Sequence, residues 1–474
     1  MKSATLRGLR QLLWPKSTGS LEGAKPPRPT AYLDGLRGFA AFLVYIHHHQ
    51  LWAHSSRQRV ILENAWGWDG EYHLATFHGI RNFFIGGHIA VAVFFVISGY
   101  VLSVKPLSLI HAGEHLKLFD NLASAFFRRW FRLYIPLIIT TLVYVTSWHL
   151  FGIWNAACEP KQTIGEELWN WYVQFKNFSF LFKEGWPWVD YNAHLWSIPL
   201  EMRGSLIIFT ACIALSRATT KARLLCLLAL VFYFLYVVDG YYCAYFVAGM
   251  LQCDLDLLAK SDGYFPRFLR RLEPYKTVIY YHLFFIGMYL GGVPAETTKF
   301  ERLQESPGWQ WLSYLKPQAV FDYKWFYLFF GGNIMVACAP RIGWLKRFFE
   351  SRFCQFLGRI AFALYLVHGP ILYTLGDRVY YAVGFVREAN DGHEKVAHWA
   401  NLFPLPKTGP LGLEIAFLLP NIILLPLTLW TAEFVTRMVD EPAVKFSAWL
   451  YKQIQGGAAP EPRPVELAPL MRVE

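Results

Sequence analysis

Apolar runs long enough to cross a membrane recur from one end of this 474-residue chain to the other. Hydrophobic residues make up 54% of the chain and charged residues 17%, whereas a soluble domain is about one quarter charged. We therefore predict an all-α fold, a polytopic transmembrane helical bundle of about ten spans, rather than several soluble domains. The predicted spans are 36–54, 86–104, 133–152, 195–216, 223–238, 241–257, 277–292, 320–339, 357–376 and 411–435.

The distribution of lysine and arginine predicts the orientation of these spans. The two tails and the loops on their side of the membrane contain 29 such residues, and the opposite loops contain 13. The first set of loops is 105–132, 217–223, 258–276 and 341–359, and the second is 55–84, 153–194, 293–319 and 377–410. Because basic loops remain in the cytoplasm, we predict that both termini are cytoplasmic, in an endomembrane or the plasma membrane. The net charge of +11 then reflects topology and not nucleic-acid binding.

One transmembrane domain is predicted over residues 32–450. A basic cytoplasmic tail, 1–31, precedes it without a secretory signal pattern, and a proline-containing tail, 451–474, is predicted to be disordered. The seven cysteines are scattered and have no CxxC or Cys/His spacing. They predict neither a metal site nor a redox pair.

The first span carries unusual polar residues. Arg37 and His48 are eleven residues apart, which is nearly three helical turns, so both lie on one face, roughly 16 Å apart along the axis. Ionisable groups inside a membrane segment favour a functional interpretation. His47 and His49 point about 100° to either side, and they compete with His48 for the role of a base.

Three arginines, Arg128, Arg129 and Arg132, precede the third span. Guanidinium groups bind phosphate through two parallel hydrogen bonds, so the cluster fits the phosphates of a cytosolic acyl-CoA. Simple anchoring of the span at the cytoplasmic surface explains the same residues. Both interpretations remain open.

The fourth and ninth spans contain further ionisable residues. His194 and Glu201 are seven apart and share a face, and Glu201 lies near Arg203 as either a structural pair or a catalytic group. The topology places Glu201 at a depth near His48, which predicts a His48–Glu201 couple. Tyr365 and His368 are three apart in the ninth span.

Two other features have both a structural and a functional interpretation. Ser98-Gly99, in the second span, is typical of a close-packing site between helices. The loop 153–194 is rich in tryptophan, which fits an interfacial aromatic belt or a surface that binds an acceptor. Its tryptophans are Trp154, Trp169, Trp171, Trp186 and Trp188.

Two alternative functions account for part of the sequence, namely a transporter and a glycerolipid acyltransferase. A multi-span transporter explains the spans and the buried charges, but not a cytoplasmic arginine cluster that is lined up with a histidine-bearing helix. His115 and Asp120 have the spacing found in glycerolipid acyltransferases. They form a single short match without the other motifs of those enzymes.

Five motifs in order resemble the acyltransferase 3 family of integral-membrane O-acyltransferases, over roughly residues 32–450. The motifs are Leu33-Asp34-Gly35-Leu36-Arg37-Gly38 running to His48, FFVISGY, RRWFRLYIP, HLWSIPLE and ALYLVHGP, with Glu433 and Asp440-Glu441-Pro442 near the end. The segment Leu200-Glu201-Met202-Arg203-Gly204 is similar to fungal members. The resemblance implies transfer of an acyl group, often acetyl from acetyl-CoA, to a hydroxyl.

The resemblance also implies roles for single residues. His48 would be the general base, Glu201 would orient it, and Arg37 would hold the pantetheine or thioester end of acyl-CoA. The residues expected to bind the CoA phosphates are Arg128, Arg129 and Arg132, and those expected to bind substrate are His194, Tyr365 and His368. The family often has Gly-Val-Asp where this chain has Ala90-Val91-Ala92, and a second acid after Glu201 where it has Met202-Arg203.

The expected partners are therefore the lipid bilayer, acyl-CoA as a co-substrate and a hydroxylated acceptor. The acceptor would be a carbohydrate, a glycolipid or a secondary metabolite. No permanently bound cofactor is expected.

Overall fold

A computed structural model describes residues 28–55, 57–155, 158–182, 188–261, 266–386 and 393–455. These residues form helices and connecting segments, and no strand occurs among them. Most of the predicted N-terminal tail, Trp186 and residues 456–474 of the predicted disordered tail lie outside the described residues. Residues 451–454 of that tail were predicted to be disordered but are helical, because they continue the helix Glu441–Ile454.

Each of the ten predicted spans overlaps one helix of at least 16 residues. The helices are α1 (Ala31–Ala53), α2 (Gly87–His111), α3 (His115–Phe151), α4 (Ser197–Ala214), α5 (Thr220–Tyr236), α6 (Tyr241–Lys260), α7 (Lys276–Gly291), α8 (Tyr323–Cys338), α9 (Arg352–Ile371) and α10 (Ile415–Val435). Shorter helices, including Arg57–Glu63, Ile164–Phe178 and Glu441–Ile454, lie between or after them.

Five stretches of the described chain are long and apolar enough to cross a membrane. They are Gly87–His111, His115–Phe151, Ala193–Ala214, Arg352–Ala382 and Ile415–Ile454. A sixth results if α8 and Gly343–Phe349, bent by 92°, form one span. The helical, membrane-type fold agrees with the prediction, whereas the number of ten spans is not confirmed. Helix α1 is not among the five, and its histidines and charged residues lower its mean hydropathy.

Glycines allow α1 and α9 to cross at very short range. A Cβ added to Gly38 would lie 2.1 Å from the backbone nitrogen of Gly358 in α9. One added to Gly35 would lie 1.8 Å from the carbonyl oxygen of Phe349, at the end of the helix Gly343–Phe349 that precedes α9. Neither position has room for a methyl group. This close approach determines how residues on α1 meet residues on α9.

Replacing Gly38 by alanine is expected to destabilise the protein by about 1–3 kcal/mol, because the added methyl forces two backbones apart. The thermal melting temperature of the detergent-purified protein measures this. Gly343→Ala is the matched control, since a Cβ there meets nothing within 4 Å. Equal melting temperatures for the two variants would contradict the close crossing.

A second close crossing joins α2 to α6. A Cβ on Gly99 would lie 2.0 Å from the Phe246 carbonyl oxygen, and one on Gly249 would lie 2.1 Å from that of Val96. The predicted packing role of Ser98-Gly99 therefore holds for the glycine. The serine has a different contact, described below.

Candidate active site

Three histidines from separate parts of the chain meet in one cluster. His48 comes from α1, His194 from the turn before α4, and His368 from α9. The rings of His48 and His194 stack with centroids 3.6 Å apart, and those of His194 and His368 are 4.8 Å apart. The histidine cluster thus unites three residues for which the sequence predicted catalysis or substrate binding.

Hydrogen bonds determine which nitrogen of His48 is available. His368 Nδ1 lies 3.1 Å from the Leu364 carbonyl oxygen, which only accepts, so the neutral ring carries its proton on Nδ1. His368 Nε2 then accepts from His48 Nδ1, 3.0 Å away. This arrangement leaves the lone pair of His48 on Nε2, where a general base needs it.

Tyrosines hold the histidine cluster in place. The Tyr365 hydroxyl donates to the carbonyl of His194 and lies 2.7 Å from the Ser197 hydroxyl. The Tyr373 hydroxyl lies 3.1 Å from His194 Nε2. Tyr365, predicted to bind substrate, is therefore in contact with the cluster through the backbone carbonyl of His194.

The neighbouring histidines on α1 face other surroundings. His49 is fully buried, and its Nδ1 lies 2.8 Å from the Tyr380 hydroxyl. The His47 ring packs edge-on against His88, with centroids 5.1 Å apart. His48 is half-buried. Of these three histidines, it is the one whose ring stacks on His194 and bonds to His368.

A cavity of about 230 Å³ with several charged residues lies beside the histidine cluster. Ser197 and Tyr365, which are bonded to each other, line its wall and connect it to the cluster. The charged residues that line it are Arg37, Arg129, Arg132, Glu201, Arg359 and Asp440. We call this space the arginine cavity. Arg37 also donates to the Gly358 carbonyl at 3.2 Å, which ties α1 to α9.

Glu201 lies in the arginine cavity and not against His48. Its carboxylate pairs with Arg129 and accepts a hydrogen bond from Ser98 at 2.6 Å. The predicted His48–Glu201 couple is therefore wrong, and His368 is the residue that bonds to His48. The prediction rested on the depth of Glu201 in the membrane, and depth does not specify which side of α4 faces α1. The predicted alternative partner, Arg203, points outward to the Phe180 carbonyl at 3.5 Å.

The three arginines of α3 do not share one environment. Arg129 and Arg132 line the cavity, whereas Arg128 is not among the lining residues and bonds to the Ser124 carbonyl of its own helix at 3.1 Å. A helix turns about 100° per residue, so adjacent positions cannot both face one cavity fully. Arg128, expected to bind the CoA phosphates together with Arg129 and Arg132, is therefore not part of the cavity that those two residues line.

Four further residues of the site were not predicted as site residues from the sequence. Arg359 bonds to Glu433 at 2.9 Å, and Ser98, Ser197 and Tyr373 make the contacts described above. An arginine directly after Gly358 in an apolar span was a visible signal for Arg359. The serines and the tyrosine have no such signal, because these residue types are common in apolar helices.

Among the described residues, two groups have donor atoms close enough together that they could hold a metal ion. They are His48, His194 and His368, and His47, Glu63 and His88; within each group the donors lie within 4.8 Å of one another. The sequence predicted no metal site, and each group draws on separate segments that no local spacing connects.

The tryptophan-rich loop includes both partly buried and exposed rings. Trp171 donates to the Thr141 hydroxyl of α3 at 2.9 Å, whereas Trp169 is 67% exposed. Trp171 therefore fastens the helix Ile164–Phe178 to α3. The exposed ring remains compatible with either predicted role.

Comparison with known proteins places the chain among acyltransferases. A family model described as an acyltransferase domain matches residues 30–431. The O-acetyltransferase PaAT-1 of Phomopsis amygdali is 29% identical, covering 90% of this chain and 85% of its own. Acyltransferase R4 of Phoma sp. is 23% identical, covering 90% and 97%, and acyltransferase clz18 of Cochliobolus lunatus is 22% identical, covering 89% and 96%.

No solved structure matches the chain. The matched region contains the histidine cluster and the arginines of α1 and α3. These similarities show an enzyme and do not support the transporter alternative. The chain is a fungal-type member of the acyltransferase 3 family, and it is an acyltransferase.

Proposed function

We propose that this protein moves an acetyl group from acetyl-CoA to a hydroxyl of a secondary metabolite, with His48 as the general base. The observation that carries the proposal is the hydrogen bond from His48 Nδ1 to His368, which leaves Nε2 free. The printed name of PaAT-1, an O-acetyltransferase, supports acetyl as the group. A carbohydrate or glycolipid acceptor would use the same chemistry.

The reaction requires one proton to change place twice. His48 Nε2 accepts the proton of the acceptor hydroxyl while the oxygen attacks the thioester carbonyl. The tetrahedral intermediate expels the CoA thiolate, which takes the proton back from His48. The products are the ester and free CoA, and no bound cofactor takes part.

The arginine cavity supplies the site for the donor. Arg37, Arg129 and Arg132 bring three cations to one space, and a phosphate of acyl-CoA would be stabilised there. Arg37 and His48 are separated by eleven residues of α1, roughly 16 Å, a distance that an extended pantetheine arm bridges. Acyl-CoA would thus place its thioester next to the histidine cluster.

The topology that fits this proposal is a ten-span bundle with both termini in the cytosol. Arg37 lies near the start of α1, Arg359 near the start of α9, and Asp440 just after α10. With that topology all three lie on the cytosolic side, where acyl-CoA is found. His48 lies near the opposite end of α1, so the acceptor approaches from the lumenal or outer side.

Untargeted mass spectrometry of a deletion strain against its parent tests the proposal. We expect one metabolite to lose an acetyl mass and to regain it when the wild-type gene is restored. An unchanged set of acylated metabolites, with a solute shifted between cells and medium, would overturn the proposal. A lost acyl group other than acetyl would correct the donor alone.

Replacing His368 by alanine is expected to lower kcat by about 10²-fold or more while KM for acyl-CoA changes little. Removing the group that sets the tautomer of a catalytic histidine costs up to about 10⁴-fold. His368→Gln is the conservative comparison, because its amide oxygen accepts from His48 Nδ1 and restores part of the rate. If both variants lose rate equally, or KM rises instead, His368 does not position the base.

A further inference from the structure

We propose that His47, Glu63 and His88 form a divalent metal site of the zinc type, next to the histidine cluster and separate from it. The three residues come from α1, the helix Arg57–Glu63 and α2. A metal ion there would fasten the loop after α1 to the ends of two helices. The inference is independent of the acyl group and acceptor proposed above.

The three side chains lie close enough together to share one ion. One ring nitrogen of each histidine and one Glu63 carboxylate oxygen lie within 4.8 Å of one another. Zinc binds imidazole nitrogen at about 2.0–2.1 Å and carboxylate oxygen at about 2.0–2.2 Å. Donors around one ion are then a little over 3 Å apart, which rotations of the side chains reach.

His47 and Glu63 are buried, and each has a polar group without a hydrogen-bond partner among the described residues. His47 is 5% exposed, and its Nδ1 has no hydrogen-bond partner among the residues that the structure describes. Glu63 is 8% exposed, and its carboxylate makes no hydrogen bond with another described residue. Buried polar groups in folded proteins normally have partners, and a cation would be a partner for both residues.

The chemistry of the donors selects the metal. Two imidazoles and a carboxylate form a known zinc ligand set that leaves a fourth position for water. Magnesium and calcium prefer oxygen ligands alone, so two nitrogen donors disfavour them. The site therefore fits zinc, or a similar first-row metal, better than a cation of the alkaline-earth type.

Nearby cations oppose a metal ion, but they are held by other groups. Lys324 pairs with Asp322, and Arg81 donates to the carbonyls of Asn64 and Leu62 at 2.7 and 3.2 Å. Arg59, which faces Glu63, is exposed. Their charges reduce the affinity for the metal without occupying its ligands.

The site would join segments that the backbone connects only loosely. Arg81 already ties the end of the loop to Leu62 and Asn64, and the Ala295 amide donates to the Glu63 carbonyl at 3.0 Å. Metal ligation would extend this network to α1 at His47, directly beside His48. The loop would thereby be held over the outer end of the histidine cluster.

Metal analysis of the detergent-purified full-length protein tests the proposal. The protein is stripped with a chelator, reloaded with zinc, dialysed and measured by elemental analysis. We expect about one zinc per chain in the wild type and at least tenfold weaker binding in Glu63→Gln and His88→Ala, since even loss of outer-shell support costs about 10–100-fold. Zinc should also raise the melting temperature of the wild type and not that of Glu63→Gln.

Two controls separate this site from other sources of binding. His282→Ala, on an exposed part of α7, should retain the metal, and so should His194→Ala in the histidine cluster. Gel filtration shows whether each variant is folded, and the nearly isosteric Glu63→Gln carries the test if His88→Ala aggregates. The proposal is overturned if the wild type retains no zinc, if Glu63→Gln keeps it, or if only His194→Ala loses it.

Discussion

Replacing His48 by glutamine is expected to reduce acyl transfer by about 10²–10⁴-fold, the usual contribution of a general base. The glutamine amide still donates to His368 Nε2, so the hydrogen bond of 3.0 Å has a substitute. The basic lone pair of Nε2 is lost, together with the ring that stacks on His194. The loss should therefore appear in kcat, with KM for acyl-CoA nearly unchanged.

The measurement compares the amount of acylated product made by variants expressed in a deletion strain. Membrane levels and melting temperatures of the purified proteins show whether His48→Gln is folded. His282→Ala is the matched control, because His282 is exposed and, within the described part of the chain, bonds only to the Val278 carbonyl of its own helix at 2.8 Å. Wild-type turnover in His48→Gln would exclude His48 as the base and direct attention to His47 or His49.

Periodicity within a helix predicted part of the site correctly. Arg37 and His48 lie on α1, and the structure brings each of them to α9, through Gly358 and His368 respectively. A shared face follows from spacing along one helix. His194 and His368 were identified as ionisable residues of the fourth and ninth spans, and the structure places both in contact with His48.

Periodicity within one helix did not predict the contacts between helices. Glu201 faces Arg129 and not His48, because the rotation of α4 depends on packing against α2 and α6. In this packing, a Cβ on Gly204 would lie 2.3 Å from the Phe246 ring. A tight contact of this kind sets a helix's orientation, and no periodicity in α4 shows it. The grouping of His47, Glu63 and His88 was hidden for the same reason.

Replacing Arg129 by methionine is expected to lower stability and donor binding together. Breaking a buried ion pair by removing one partner costs about 3–5 kcal/mol, because the other charge remains without compensation. The Arg129 and Glu201 side chains are 12% and 16% exposed, so water screens the remaining carboxylate poorly. We expect a lower melting temperature in detergent and a higher KM for acyl-CoA.

The double variant Arg129→Met/Glu201→Gln separates these two effects. Removing both charges leaves no uncompensated carboxylate, so the melting temperature should recover most of the loss seen in Arg129→Met alone. KM for acyl-CoA should stay high, because the guanidinium that would bind phosphate or thioester is still absent. Arg129→Lys should fall between wild type and Arg129→Met, since lysine keeps the charge without the paired donors. If the double variant regained wild-type KM, Arg129 would serve the fold alone, and the donor would have to be held by Arg37 and Arg132.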